Sequence, residues 1–289
     1  MSIQTSHELI ATPRIDVARD KIAEARARGD RIGCVPTMGA LHDGHLSLVR
    51  AARDECGFVV VTVFVNPTQF GPDEDFEDYP RPLQDDLRAC RDEGVDLVLH
   101  PQMDVMYPHE SKTIVDVVGL ATHLEGAYRP GHFRGVATVV VKLLNIVRCD
   151  VAYFGQKDFQ QQVLIRRMCH DLHIPVEIRA CPIVREPDGL ALSSRNVYLN
   201  NDERRQALAL SESLRLAEEM IAGGETNLDN VRDAMRKHLT SMPDVRVDYA
   251  TIADRNTLEE LGNPQTEMVA LVAAHVGRTR LIDNLLIQR

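Results

Sequence analysis

The chain lacks long apolar runs. None approaches the roughly 18 consecutive apolar residues of a membrane span, and residues 1–31 have no continuous apolar core of the secretory-leader kind. A cytoplasmic protein is expected. Cations are also scarce: 33 lysines and arginines face 43 acidic residues, a formal charge of −10. Binding to nucleic acid or anionic membrane leans on concentrated positive charge, so neither is expected as a partner. Any grip on phosphate must be local. The six cysteines (Cys34, Cys56, Cys90, Cys149, Cys169, Cys181) lie far apart with no C-x-x-C, several within apolar runs. They read as buried thiols of a reducing compartment. There is no repeat, no low-complexity tract, no G-x-x-x-x-G-K-[ST] and no G-x-G-x-x-G, so the two commonest nucleotide cradles are excluded.

What is present is the composition of a globular enzyme, 44% hydrophobic and 26% charged over 289 residues, enough for one large or two ordinary domains. Short apolar runs at Ile32 to Val35, Phe58 to Val65, Asp96 to Leu99 and Val151 to Phe154 read as buried strands. Helical spacing falls between and around them, at Ile15 to Arg28, Leu46 to Asp54, Pro82 to Glu93, Val136 to Val147 and Phe159 to Leu172. This alternation predicts an α/β fold, an open parallel sheet with helices on both faces. Near Pro187-Asp188-Gly189, a turn sequence, the rhythm changes. A capping box at Asn200 to Glu203 opens a helix reaching about Ile221, a second helix covers Leu228 to Leu239, and three strand-like runs follow, Val245 to Ile252, Met268 to Val276 and Thr279 to Ile287. The expected division is residues 1–184 and a smaller C-terminal α+β domain, 185–289; one continuous domain with a peripheral subdomain is the alternative.

Ligands of open α/β sheets sit beyond the carboxyl ends of the strands. Three polar loops fall there, and the most informative is Pro36 to His45, carrying His42 and His45 where a helix should begin. Helix N-terminal amides attract anions, a glycine lets a phosphate come close, and the two rings add donors. The spacing His42-Asp43-Gly44-His45 is similar to the H-x-G-H motif of the nucleotidyl-transferring α/β superfamily. A plainer reading has Asp43 capping the helix with both histidines as surface groups. No zinc site is expected, because nothing nearby completes a set of three or four ligands.

Gly155-Gln156-Lys157-Asp158 leaves a buried strand and enters a helix. Asp158 and Gln161 have capping-box spacing, which needs no ligand; yet Lys157 beside a helix N-terminus is electrostatically misplaced unless an anion lies between them. Ser193-Ser194-Arg195 offers two hydroxyls and a guanidinium fork to a phosphate chain, or is a solvated hinge. Arg129 to Gly135 is a cationic loop before a helix, explained equally by a surface loop. The acidic run Gly71 to Asp75 is expected to be a solvated loop, and Asp85-Asp86 to lie in a first helical turn, where carboxylates are favoured anyway.

Five segments in this order resemble the pantothenate synthetase family over almost the whole chain: Pro36 to Gly39 with His42 and His45, Phe64 to Phe70, Arg129 to Val136, Phe154 to Asp158, and Asp188 to Asn196. The resemblance implies a Rossmann-like first domain, a homodimer, and ATP-dependent joining of pantoate to β-alanine through pantoyl adenylate, with Mg²⁺ accompanying ATP. It implies that Met38, Gly39, Ala40, Leu41, His42, Asp43, Gly44 and His45 hold ATP, His42 and His45 at its phosphates and His45 as the acid. Gly155, Gln156, Lys157, Asp158, Val184, Leu192, Ser193, Ser194 and Arg195 complete the ATP site, with Lys157, Ser193, Ser194 and Arg195 neutralising the phosphates. Gln69 and Gln161 bind pantoate, while Asn66 and His132 match further polar positions lining the pocket. The second domain, bearing Ser193 to Arg195, is expected to close over the adenylate. Two departures stand out: Gln156 for a common glutamate, and Thr68 for a common methionine. The K-M-S-K-S loop of the wider superfamily is here only Ala191 to Asn196, without its lysines. The alternatives are a nucleotidylyltransferase acting on a phosphorylated acceptor, a non-enzymatic nucleotide sensor, and a synthetase fragment; the acidic balance disfavours the last, and the neutral Gln69 and Gln161 fit the first poorly.

Overall fold

A computed structural model describes residues 8–72, 74–109 and 111–289. Elements run β1 Ile10–Thr12, α1 Ile15–Ala27, β2 Ile32–Thr37, α2 Asp43–Glu55, β3 Phe58–Val63, α3 Leu83–Asp92, β4 Leu97–Leu99, α4 Met103–Met106, α5 Glu125–Tyr128, α6 His132–Val147, β5 Val151–Gly155, α7 Phe159–Asp171, β6 Glu177–Cys181, α8 Asn201–Ala222, α9 Leu228–Thr240, β7 Val245–Asp254, β8 Glu267–Val276 and β9 Thr279–Gln288, with 3₁₀ turns at Pro67–Gln69, Gln156–Asp158 and Ser194–Tyr198. The chain forms two compact units. The first holds the described residues through Ala121 with Arg129–Gly155 and Leu164–Cys181; the second holds Thr122–Tyr128, Gln156–Val163 and Pro182–Arg289.

The first unit is a six-stranded parallel sheet in the order β1-β4-β3-β2-β5-β6. Alternate strand residues feed two cores. Ile32, Cys34, Phe58, Val60, Leu97, Leu99, Ala152 and Phe154 pack with α1, α6 and the later turns of α7. Their neighbours Val35, Val59, Val61, Val98, Val151 and Tyr153 pack with α2 and Cys90 of α3. Helices thus cover both faces, the Rossmann-like arrangement expected, and the unbroken apolar strand runs follow from burial on both sides. Proceeding from β2, the chain lays β3 on one side and returns to place β5 on the other, so the switch point where such sheets bind ligands lies at the end of β2.

Two edge strands go beyond the sequence reading. β1 has only three residues, and β6, Glu-Ile-Arg-Ala-Cys, is half-exposed, so neither shows a fully apolar run. The sixth helix also starts earlier than the expected Val136: Gly131, in the left-handed region at φ 84°, caps it, and His132 to Gly135 form its first turn rather than a loop. Its five valines disfavour a helix locally, but the helix is buried almost all round, and packing overrides propensity.

The second unit contains the α+β elements expected after residue 185, and also takes in Thr122–Tyr128 and Gln156–Val163 from the stretch read as the first domain. β7, β8 and β9 form an antiparallel sheet; α8 packs on β8 and β9, and α9 on β7, around a core of Leu210, Leu214, Leu228, Met235, Val272 and Val276 among others. The capping box of α8 forms as read, with Asn200 accepting from the Asp202 and Glu203 amides and Glu203 accepting from Asn200.

Candidate functional site

In the first unit the site begins where β2 stops. Thr37 Oγ1 donates to the Thr62 carbonyl at 2.7 Å and accepts from the Gly39 amide at 3.1 Å, turning the chain out of the sheet. Gly39 and Ala40 both take positive φ, 84° and 51°. A Cβ on Gly39 would also sit 2.8 Å from an Asp86 oxygen, so only glycine fits. Asp86, at 2% exposure, holds this loop from α3, accepting from the Ala40 amide at 3.0 Å and the Leu41 amide at 2.8 Å. Burial pushes its carboxyl above the ordinary range, and the two amide bonds pull against that. Asp86 does lie in a first helical turn, but it faces the loop rather than water.

Asp43 is not the cap of α2. His42 is: its Nδ1 accepts from the Gly44 amide at 3.1 Å, and His45 Nδ1 accepts in return from the His42 amide at 3.4 Å. This histidine capping box corrects the picture of helix amides aimed at an anion. The Gly44 amide is taken by the His42 ring, the His45 amide by the His42 carbonyl, and those of Ala40 and Leu41 by Asp86. Because each Nδ1 accepts, each ring carries its proton on Nε2, and the centroids lie 4.1 Å apart.

Beyond β3, Asn66 caps the 3₁₀ turn Pro67–Gln69. Asn66 is fully buried: its Nδ2 donates to Gln69 Oε1 at 3.0 Å and to the Gly135 carbonyl at 3.2 Å, while its Oδ1 accepts from Tyr107 at 2.8 Å and from the Thr68 hydroxyl at 2.9 Å. Gln69 Nε2 donates to Met38 Sδ at 3.2 Å, so the orientation of the Gln69 amide is set at both ends. The first turn of α6 supports it from behind. His132 Nδ1 donates to the Gln69 carbonyl at 2.8 Å and its Nε2 accepts from Arg129 at 3.0 Å. Arg129 in turn grips Glu74 through two bonds, of 2.7 and 2.6 Å. Burial acts to raise the Glu74 carboxyl, but Arg129 more than reverses this and holds it below its ordinary value. The acidic run is therefore not simply a solvated loop, since Glu74 is spoken for; Asp73 lies outside the described residues.

In the second unit, Gln156, Lys157 and Asp158 form a 3₁₀ turn running into α7, so Asp158 falls inside the turn. Gln161, half-buried, follows in the helix. Fully buried Asn284 of β9 holds the turn, its Nδ2 donating to the carbonyls of Gln156 and Lys157, both at 3.0 Å, while Gln156 Nε2 donates back to its Oδ1 at 3.2 Å. A small hairpin closes through Val184 and Leu192, whose backbones bond at 2.9 Å, with Gly189 at φ 98° in the turn between. Arg185 binds Asp283 at 2.6 and 2.9 Å. Beyond the hairpin, Ser193 Oγ accepts from the Arg195 amide at 3.3 Å, and Asn196 donates to Glu186 and to the Ala191 carbonyl, both at 3.1 Å. Ser193, Ser194 and Arg195 are half-buried. Among the described residues no cluster of three His, Cys, Asp or Glu is arranged to hold a metal ion.

A protein-family model described as pantoate-beta-alanine ligase matches residues 11–286. The chain belongs to that ligase family. The pantothenate synthetase of Thermotoga petrophila is 53% identical over 261 residues, covering 90% of this chain and 93% of that protein. The crystal structure of the Thermus thermophilus pantothenate synthetase superposes with a TM-score of 0.91 at 44% identity, over 96% of this chain and 98% of that one. The Francisella tularensis pantoate-beta-alanine ligase, solved in complex with beta-gamma ATP and beta-alanine, gives 0.79 at 34% identity, over 96% and 98%. The family read from five sequence motifs is thus the family of the whole chain, and the sensor and nucleotidylyltransferase alternatives fall away.

Asp86 was read only as a first-turn carboxylate and Asn284 was not read at all, although both touch the motif loops. Each left a signal. Asp86 sits four residues before Cys90, so a carboxylate shares the core-facing stripe of α3. Asp283 and Asn284 are adjacent polar residues set between Leu281-Ile282 and Leu285-Leu286-Ile287 of β9. A charge or amide on a buried stripe needs a buried partner.

Proposed function

We propose that this ligase activates pantoate as an acyl adenylate before β-alanine attacks, using the histidine and glutamine positions described above. The pantoate carboxylate oxygen attacks the α-phosphorus of ATP and pyrophosphate leaves. The β-alanine amine then attacks the acyl carbon, AMP departs with the former carboxylate oxygen, and the amine loses a proton. No protein nucleophile is required.

The observation that carries this reading is the reciprocal capping of His42 and His45. It fixes both tautomers with the proton on Nε2, giving two preorganised donors at a strand end where charge grows on phosphate oxygens. Each such donor is worth roughly 3–4 kcal/mol by analogy with oxyanion holes. His42 and His45 act at the ATP phosphates as Nε2 hydrogen-bond donors, within the nucleotide loop Met38 to His45. Lys157, Ser193, Ser194 and Arg195 neutralise the phosphate chain, with Gly155, Gln156, Asp158, Val184 and Leu192 completing ATP recognition. Gln69 and Gln161 hold pantoate through neutral amides, which recognise hydroxyls and a carboxylate without pairing the nucleophile into inertness. Asn66 and His132 serve that pocket by setting Gln69. Holding both substrates together contributes by proximity.

Mg²⁺ enters with ATP. Of the assigned phosphate contacts, imidazole, ammonium and guanidinium offer no oxygen, and only the Ser193 and Ser194 hydroxyls could ligate the ion, which would be held largely by phosphate oxygens and water and would neutralise triphosphate charge. We further propose a homodimer in the cytoplasm; six free, buried cysteines suit a reducing compartment, and sedimentation would report the dimer.

Oxygen tracing tests the route. With ¹⁸O in the pantoate carboxylate, one label is expected in AMP; AMP without label would sink the adenylate.

A further inference from the structure

Asn284 carries no charge, yet every polar atom of its side-chain amide is directed at the Lys157 turn. The two Nδ2 hydrogens go to consecutive carbonyls, those of Gln156 and Lys157, and Oδ1 receives the Gln156 side chain. Two successive carbonyls demand two donors, so the amide has only one orientation that satisfies them. Fixing consecutive carbonyls fixes the peptide planes on both sides of the Lys157 Cα, and hence the direction in which its side chain leaves the backbone.

The clamp is itself anchored. Asn284 is fully buried on β9, its own amide donates to Asp283 Oδ1 at 2.8 Å, and Asp283 is locked by Arg185. Arg185 heads the hairpin that leads to Ser193, so one buried polar pair on β9 braces two loops of the second unit. Asn284 reaches across from β9 to a 3₁₀ turn whose sole cation is Lys157.

We propose that Asn284 is a positioning residue for the adenylation step, acting through Lys157. The proposal rests on the reading of Lys157 as a phosphate contact. Misplacing a catalytic contact by about an ångström can cost up to roughly 100-fold, so Asn284→Ala is expected to lower kcat/KM for ATP about 10- to 100-fold while the KM for β-alanine stays put.

A double-mutant cycle with Lys157→Ala tests it, with thermal melting to confirm that each variant folds. If Asn284 acts through Lys157, adding Asn284→Ala to Lys157→Ala costs less than about threefold more. An undiminished loss in the Lys157→Ala background, or a folded Asn284→Ala enzyme with wild-type ATP kinetics, overturns the proposal. If Lys157→Ala alone leaves ATP kinetics unchanged, the phosphate role of Lys157 fails and the proposal fails with it. If Lys157→Ala is impaired but the two losses multiply, only the positioning role is lost. Should Asn284→Ala not fold, Asn284→Ser keeps one donor and enters the same cycle.

Discussion

Asp86 and Leu41 lie 45 residues apart in sequence, yet the buried Asp86 carboxylate accepts the Leu41 amide at 2.8 Å, and the Ala40 amide alongside it at 3.0 Å. A carboxylate from α3 therefore shapes the loop between β2 and α2. Because burial raises its folded pKa, the stability it contributes is full below the unfolded value near 3.8 and is lost as pH rises through the raised value. At neutral pH the charged form thus costs the fold something, and the ordered loop is what it sustains.

Asp86→Asn separates these effects. It removes the buried charge but turns an NH₂ toward one backbone donor, leaving that donor unpaired at about 1–3 kcal/mol. We expect kcat/KM for ATP to fall about tenfold or more by that measure, with only a small change in melting temperature. A large loss of stability with kinetics unchanged in the surviving enzyme would refute a loop-shaping role.

Gln69→Ala is expected to raise the pantoate concentration needed for adenylate formation by about tenfold, the scale of one or two lost hydrogen bonds, and to leave the KM for ATP alone. Asn66→Ala should shift the same parameter, because Asn66 sets the Gln69 amide. Pantoate saturation curves check both, and an unmoved pantoate dependence in Gln69→Ala would remove it from the pocket.

The Glu74–Arg129 pair makes an acid-side prediction. With its folded pKa held below the ordinary 4.5, Glu74 contributes stability that is present above that value and lost as pH falls through the depressed one. Melting curves from about pH 6 to about pH 3 should fall less steeply for Glu74→Gln than for the wild type. Parallel curves would show the pair to be energetically silent.

Gly135 is where α6 meets the 3₁₀ turn below Gln69. A Cβ there would sit 2.6 Å from the Gln69 nitrogen and closer still to the Thr68 carbonyl. Gly135→Ala should destabilise by about 1–3 kcal/mol or more and raise the pantoate KM. Gly262→Ala, with nothing within 4 Å, is the control expected to melt like the wild type.

The sheet was legible in sequence because strands buried on both faces write continuous apolar runs, as in Phe58 to Val63. Edge strand β6 was not, since a half-exposed strand needs no such run. The site loops were legible as motifs, and the family they indicated holds for the whole chain. Their internal chemistry was not. Whether Asp43 or His42 caps α2 depends on ring geometry three residues apart, and the reach of Asp86 to Leu41 or Asn284 to Lys157 depends on long-range packing that no local spacing encodes. The segment Arg129 to Gly135 read as a cationic loop for the same reason, the Arg129 partner Glu74 being 55 residues away.

The most direct test is a rapid-quench single turnover with ATP, Mg²⁺ and pantoate but no β-alanine, with enzyme in excess of ATP. Pyrophosphate and an acid-labile pantoate–AMP species should appear together, with AMP released only when β-alanine is added, and His45→Ala should slow the first phase. Pyrophosphate that forms only once β-alanine is present would contradict the account.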